Sequence, residues 1–309
     1  MLIVILSPMT GCSTTNVNRH LTIVCSIFPQ YDWVRIILGE QQEEIELTLL
    51  LNSRNDLHNY QPTVEAIANI SMCDLFIYIG GESDRWVEDV LRDASNKNMK
   101  VIKLLDILGD MKKQEEYIEG IQLEEEEEDE DSFDEHVWLS LRNAKIFCQE
   151  ITSMIVSLDN SNREIYESNL ERYLVQLSNL DKEYMKAVEA APQNTLLFGD
   201  RFPFRYLTED YNLDYYAAFL GCSADTEASF DTIVFLAQKL DELNLKNIMV
   251  TESSDKKIAE TIINNTKTKN KTILVLNAMQ SITSTDVLGG DTYLTFMQEN
   301  LEVLKKALE

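Results

Sequence analysis

NREIYESNLERYLVQLSNLDKEYMKAVEAA, from Asn162 to Ala191, runs for thirty residues without a glycine or a proline and carries apolar residues at helical spacing. Glycine and proline are the residues that most readily end a helix, so nothing inside the stretch interrupts one. At the standard rise per residue it predicts a single helix of about 45 Å. That is long enough to run along two domains as a backbone.

The sequence on either side has the pattern such a backbone would join. Short β-branched runs alternate with amphipathic stretches, as in βαβ units. Before the helix, LTIVCSIF (Leu21–Phe28), EIELTLLL (Glu44–Leu51), DLFIYIG (Asp74–Gly80) and KVIKLL (Lys100–Leu105) read as strands, with YDWVRIILGE, TVEAIANI and RWVEDVLRDAS as helices between them. A further helix is expected from Trp138 to Ser157. After it, strands are expected at Asn194–Asp200, Asp214–Phe219, Asn247–Glu252 and Lys271–Asn277, with helices at SFDTIVFLAQKLDELN, DKKIAETIINN and YLTFMQENLEVLKKAL. No residue-level repeat relates the halves; their likeness is architectural.

A chain of 309 residues exceeds the usual size of one hydrophobic core, and a 44% hydrophobic content lets two fold. The expected fold is α/β: two domains, each with a mostly parallel sheet flanked by helices, joined by one long backbone helix. Residues 1–20 form a tether and 21–160 an N-terminal domain with an acidic loop at 114–135. Residues 161–191 form the linker helix and 192–309 the C-terminal domain.

The charge balance is strongly acidic, with 53 Asp and Glu against 27 Lys and Arg, a formal net charge of −26. This excludes nucleic acid and simple adhesion to anionic lipid as partners, because both are bound by basic side chains. Cationic partners remain. Eight consecutive acids, Glu124 to Asp131, stand just upstream of His136, one of three histidines in the chain. Such a run either collects cations or is a solvated loop. The five cysteines include no CxxC pair, which argues against a zinc knuckle or redox motif. Cys25, Cys73, Cys148 and Cys222 are expected as small buried hydrophobes. Cys12 ends MLIVILSPMTGC, an apolar segment of signal-peptide length that is too short to span a bilayer. A small residue before a cysteine in that setting resembles a bacterial lipobox, with Cys12 as the lipidated residue.

In open parallel sheets ligands bind beyond the carboxyl ends of the strands. His58 lies in NSRNDLHNYQPT after the second strand, and His136 follows the fourth by way of the acidic insertion. Asp200, Glu252 and Asn277 close strands of the second half. Imidazole together with carboxylate suits zinc or manganese better than magnesium. No G-x-S-x-G elbow, P-loop, HExxH or G-x-G-x-x-G is present, and Gly80–Gly81 and Gly289–Gly290 read as turn pairs. The expectation is a binding protein without catalytic activity.

Several segments carry a family resemblance: SIFPQYDWVRIILGE, DLHNYQPT, DLFIYIGGESDRWVEDVL, DEHVWLS, DRFPFRYL and GGDTYLTFMQENLEVLKKAL. Together they resemble the metal-binding lipoproteins that serve ABC importers for zinc and manganese (ZnuA/TroA type, cluster A-I), with the zinc-type members of Gram-positive bacteria as the nearest match. The resemblance implies an extracytoplasmic monomer anchored to the outer face of the cell membrane through lipidated Cys12. It would hold a divalent metal in the interdomain cleft for an ABC permease. His58 and His136 fall on the first two ligand positions. Asp200, in GDRFPFRYL, is the replacement at the third. Asn277, in VLNAMQS, falls on the fourth, with Glu252 or a water as the alternative. Zinc is the expected cargo, with manganese as the alternative ion. A surface adhesin is the alternative role; a metal-dependent hydrolase lacks any substrate-orienting motif. The acidic loop resembles the histidine-rich metal-collecting loop of zinc-type relatives with its histidines gone.

Overall fold

Two four-stranded sheets, each parallel throughout, carry the fold. The computed structural model describes residues 20–52, 57–116, 118–121, 133–222 and 227–309. Cys12 and the acidic run Glu124–Asp131 lie outside the described residues.

The first sheet is built from β1 (Leu21–Cys25), β2 (Ile45–Leu49), β3 (Leu75–Tyr78) and β4 (Lys100–Lys103), in the order β2-β1-β3-β4. The helices among them are α1 (Phe28–Leu38), α2 (Val64–Met72), α3 (Val87–Arg92) and α4 (Leu104–Leu108). β3 is buried at all four positions, the unbroken apolar run expected of a parallel strand covered on both faces. The predicted strand Leu21–Phe28 stops at Cys25; the Ser26 amide still reaches the Ile77 carbonyl, and Gln30 Oε1 accepts from the Ser26 and Ile27 amides where α1 begins. Pro29, in the first turn of α1, needs no amide partner of its own.

α5 (Leu141–Leu158) begins three residues later than Trp138, behind the turn Val137–Leu139, with Ser140 as its cap accepting from the Asn143 amide. α6 (Arg163–Ala190) is the long helix, 28 residues, which at the standard rise is about 42 Å. One stripe of it is buried: Tyr166, Asn169, Tyr173, Leu177, Leu180 and Tyr184. That stripe faces α5, α1 and the final helix, α11.

The second sheet comprises β5 (Thr195–Phe202), β6 (Asp214–Leu220), β7 (Asn247–Thr251) and β8 (Thr272–Leu276), in the order β6-β5-β7-β8. Its helices are α7 (Arg205–Asp210), α8 (Phe230–Glu242), α9 (Lys257–Asn265), α10 (Ser284–Gly289) and α11 (Tyr293–Ala307). The two sheets thus share one strand order, so the likeness of the halves is topological. β5 runs past Asp200, with an irregularity in its pairing to β6 between Phe198 and Arg201.

One apolar core runs from Ile23 through α5 and α6 to Leu308, and smaller clusters lie behind each sheet. Polar ties cross the same region. Asp32 accepts from the Tyr293 amide at 2.8 Å, Tyr293 Oη donates to the Trp138 carbonyl at 2.7 Å, and Trp138 Nε1 donates to the Ala278 carbonyl at 2.9 Å. Trp33 meets Tyr293 edge-on with centroids 5.2 Å apart. Because the core is shared, the two sheets are braced against each other and the side chains at their carboxyl edges are held at a set spacing. Among the described residues no helix is long and apolar enough to cross a membrane.

Candidate metal centre

His58 sits in the turn Leu57–Asn59, which is pinned by the buried Leu57 and follows the carboxyl end of β2. Its Nδ1 lies 2.8 Å from Ser83 Oγ, in the turn that follows β3. His136 is fully buried. Asp134 Oδ1 accepts from the His136 backbone amide at 2.8 Å and lies 3.0 Å from its Nδ1, which fixes Nδ1 as the protonated nitrogen and leaves Nε2 as a lone-pair donor. The two Nε2 atoms point at each other, 3.3 Å apart.

Cys222 joins them. It follows β6 by way of Gly221, and it is half-buried, whereas Cys25, Cys73 and Cys148 are buried as expected. Among the described residues, one group of three or more His, Cys, Asp and Glu side chains brings its ligand atoms within 4.8 Å of one another: His58, His136 and Cys222.

Two glycines make room for this packing. A Cβ on Gly221 would stand 2.9 Å from both His136 Cε1 and the Phe202 carbonyl oxygen. A Cβ on Gly81 would stand 2.3 Å from Glu135 Cγ and Oε1. Gly81 therefore belongs to the site through its missing side chain, as the place where Glu135 passes.

Carboxylates surround the three donors. Glu135 Oε1 accepts from the Ser83 amide at 2.8 Å, and its Oε2 lies 3.9 Å from His58 Nδ1. Burial pushes the Glu135 carboxyl up to about 7, opposed by the Ser83 hydrogen bonds. Burial and then the charge of Asp134 raise Glu115, which hydrogen-bonds to Cys222. Burial works against a charged His136, but Asp134 beside it, with Glu135 and Glu115, outweighs that and raises its pKa. Burial, followed by Glu115, Glu135 and Asp134, holds the Cys222 thiol well above its ordinary range. Glu115 Oε1 and Glu135 Oε2 are buried without a hydrogen-bond partner among the described residues. Every one of these shifts favours the protonated form, through burial first for the two carboxyls and the thiol and through neighbouring carboxylates for the imidazole.

The remaining sequence candidates are engaged elsewhere. Asp200 Oδ2 accepts from Thr251 N at 2.9 Å and Oγ1 at 2.8 Å, and Oδ1 accepts from Arg201 N at 2.8 Å. Its carboxylate ties β5 to the end of β7 and stands outside the group at His58. Glu252 accepts from the Ala278 and Gln280 amides at 2.8 and 3.0 Å, bracing the loop after β8. Asn277 Oδ1 accepts from the Met279 amide, and its backbone N–H and C=O pair with the Asn300 side-chain amide. Glu252 and Asn277 line a cavity with Ser253, Ser281 and Asp286. Sequence reasoning missed Cys222, Glu115, Asp134 and Glu135. The rule that found His58, a donor just past the carboxyl end of a strand, applies equally to Cys222.

A family model described as zinc-uptake complex component A, periplasmic, matches residues 23–307. The chain belongs to this family. The zinc-binding lipoprotein AdcA of Streptococcus pneumoniae is 29% identical over 306 residues, 97% of this chain and 58% of AdcA. The chain thus spans a little under three-fifths of that relative's length. The high-affinity zinc uptake system protein ZnuA of Bacillus subtilis is 29% identical over 302 residues, 97% of this chain and 91% of that protein. The family fold is shared: the Zn(II)-bound ZnuA-like domain of S. pneumoniae AdcA superposes with a TM-score of 0.72 at 27% identity, covering 94% of this chain and 99% of that one. A laminin-binding adhesin of Streptococcus agalactiae, at 21% identity and a TM-score of 0.76 over 94% of this chain and 100% of its own, shares the fold.

Proposed function

We propose that this protein captures zinc at His58 and His136 and delivers it to an ABC permease from the outer face of the membrane, anchored there by a lipid on Cys12. The observation that carries the proposal is the convergence of two imidazole Nε2 atoms at 3.3 Å. A tetrahedral zinc with Zn–N bonds of about 2.0–2.1 Å places two nitrogen ligands about 3.3–3.4 Å apart. Each ring is also held from behind, His136 by Asp134 and His58 by Ser83, the arrangement that orients metal-binding histidines. The buried carboxylates supply the negative field a divalent cation needs. Zinc is favoured over manganese because paired imidazoles suit the softer ion. The zinc-binding names of the relatives support the same ion, and the lipoprotein name of AdcA supports the anchor.

The shared core and the long helix α6 support capture by a braced cleft, with release through modest shifts of loops. The role is transport, with no reaction assigned to the site. The test is metal content after purification, then competitive titration of the stripped protein with zinc and manganese, repeated with His58→Ala and His136→Ala. One equivalent of zinc, bound more tightly than manganese and weakened in both variants, is expected. Equal zinc uptake by wild type and both variants would refute the assignment.

A further inference from the structure

We infer that Cys222 is the third protein ligand of the captured ion, binding as a thiolate. The inference rests on metal capture at His58 and His136. The sulfur lies within 4.8 Å of both imidazole donors, and no Asp or Glu among the described residues joins that group. With a Zn–S bond of about 2.3 Å beside Zn–N bonds of about 2.0–2.1 Å, a tetrahedron needs sulfur about 3.5–3.6 Å from each nitrogen. Side-chain rotation and a loop movement of about an ångström close the difference. Gly221 packs against both His136 and the end of β5, which keeps the loop within that reach of the imidazoles.

Charge supports the same ligand. Two neutral imidazoles alone leave a dication uncompensated in a buried pocket, whereas a thiolate cancels one charge directly. The neighbouring carboxylates of Glu115 and Glu135, each with a buried oxygen lacking a hydrogen-bond partner among the described residues, offset the rest from outside the donor set. On binding, the metal–sulfur bond replaces the S–H bond, and the proton passes to solvent by way of Glu115, which hydrogen-bonds to Cys222. No electron moves. The fourth position is left to water. A His2Cys donor set selects thiophilic ions, so zinc, cobalt(II) and cadmium are held while manganese is rejected. Cys222 thus determines specificity where Asp200 is committed to β7.

Cobalt(II) tests this, because thiolate ligation produces a sulfur-to-cobalt charge-transfer band in the near ultraviolet. The stripped full-length protein loaded with cobalt(II) is expected to show the band. Cys12→Ser should keep it and Cys222→Ser should lose it. Cys222→Ser should also weaken zinc at least about tenfold, the lower end of what supporting residues alone contribute, while manganese binding stays unchanged. As a second readout, zinc should protect Cys222 from alkylation in the wild type and manganese should not. Cobalt(II) bound through His58 and His136 without the band, together with unchanged zinc affinity in Cys222→Ser, would overturn this inference and leave metal capture standing. Failure of the wild type to take up zinc or cobalt(II) would overturn both.

Discussion

Gly221→Ala is the most informative small perturbation of the site, because it adds one methyl group at a measured place. The new Cβ would lie 2.9 Å from His136 Cε1, 3.1 Å from His136 Nδ1 and 2.9 Å from the Phe202 carbonyl oxygen. Ordinary carbon contacts fall near 3.5–4.0 Å, so the overlap with the ring is at least about 0.6 Å. The Phe202 oxygen belongs to β5 and cannot retreat without disturbing the sheet. The loop carrying Cys222 must therefore lift away from β5, and the His136 ring must give against its 3.0 Å hydrogen bond to Asp134. Overpacking of this kind costs about 1–3 kcal/mol of stability. Misplacing a supported histidine weakens metal binding about 10–100-fold. Thermal unfolding of the stripped variant reads the first effect. The second is read as a zinc-dependent gain in unfolding free energy, measured by denaturant unfolding, that is smaller by about 1.4–2.7 kcal/mol at saturating metal. Gly289→Ala, where an added Cβ meets nothing within 4 Å, is the matched control and should leave zinc affinity unchanged. Wild-type zinc affinity and stability in Gly221→Ala would refute the packing of this loop against His136.

Asp134→Asn removes the charged acceptor behind His136 and should weaken zinc about 10–100-fold in competitive titration, with circular dichroism unchanged. Asp200→Asn should lower stability by about 1.5–3 kcal/mol through loss of the charged acceptor at Thr251, while leaving zinc affinity within about twofold because Asp200 stands outside the donor group; a large affinity loss would restore Asp200 as a ligand. Tyr293→Phe strips the Trp138 carbonyl of a 2.7 Å donor in the shared core and should cost about 1–3 kcal/mol in denaturant unfolding.

The halves of the protein could be recognised from local pattern because each element announces itself within a few residues. The parallel strand β3 reads as an unbroken apolar run, and α6 as a long stretch with one apolar stripe. Boundaries were less legible. Phe28 looked like the end of a strand because it is apolar, and it became the start of α1 once Gln30 folded back onto Ser26 and Ile27. Trp138 looked like a helix start, yet the chain makes a tighter turn there, and the indole instead bonds across to Ala278. Contacts of that kind join residues 140 apart and leave no local trace.

The site divides along the same line. From the residues alone, His58 and His136 were evident as scarce imidazoles placed past strand ends, and the negative charge around them pointed to a cation. Which third side chain approaches them was a matter for the tertiary structure. Successive residues of a strand face opposite sides, so one position of register decides whether a carboxylate looks into the crevice or along the sheet. Asp200, whose identity suggested a ligand, is captured by Thr251 on the neighbouring strand. Cys222, whose identity suggested a buried hydrophobe, is carried to the two imidazoles by a glycine that lets β6 end against His136. Composition and periodicity determine which elements form, but the donor set depends on which loops the packed sheets bring to one edge.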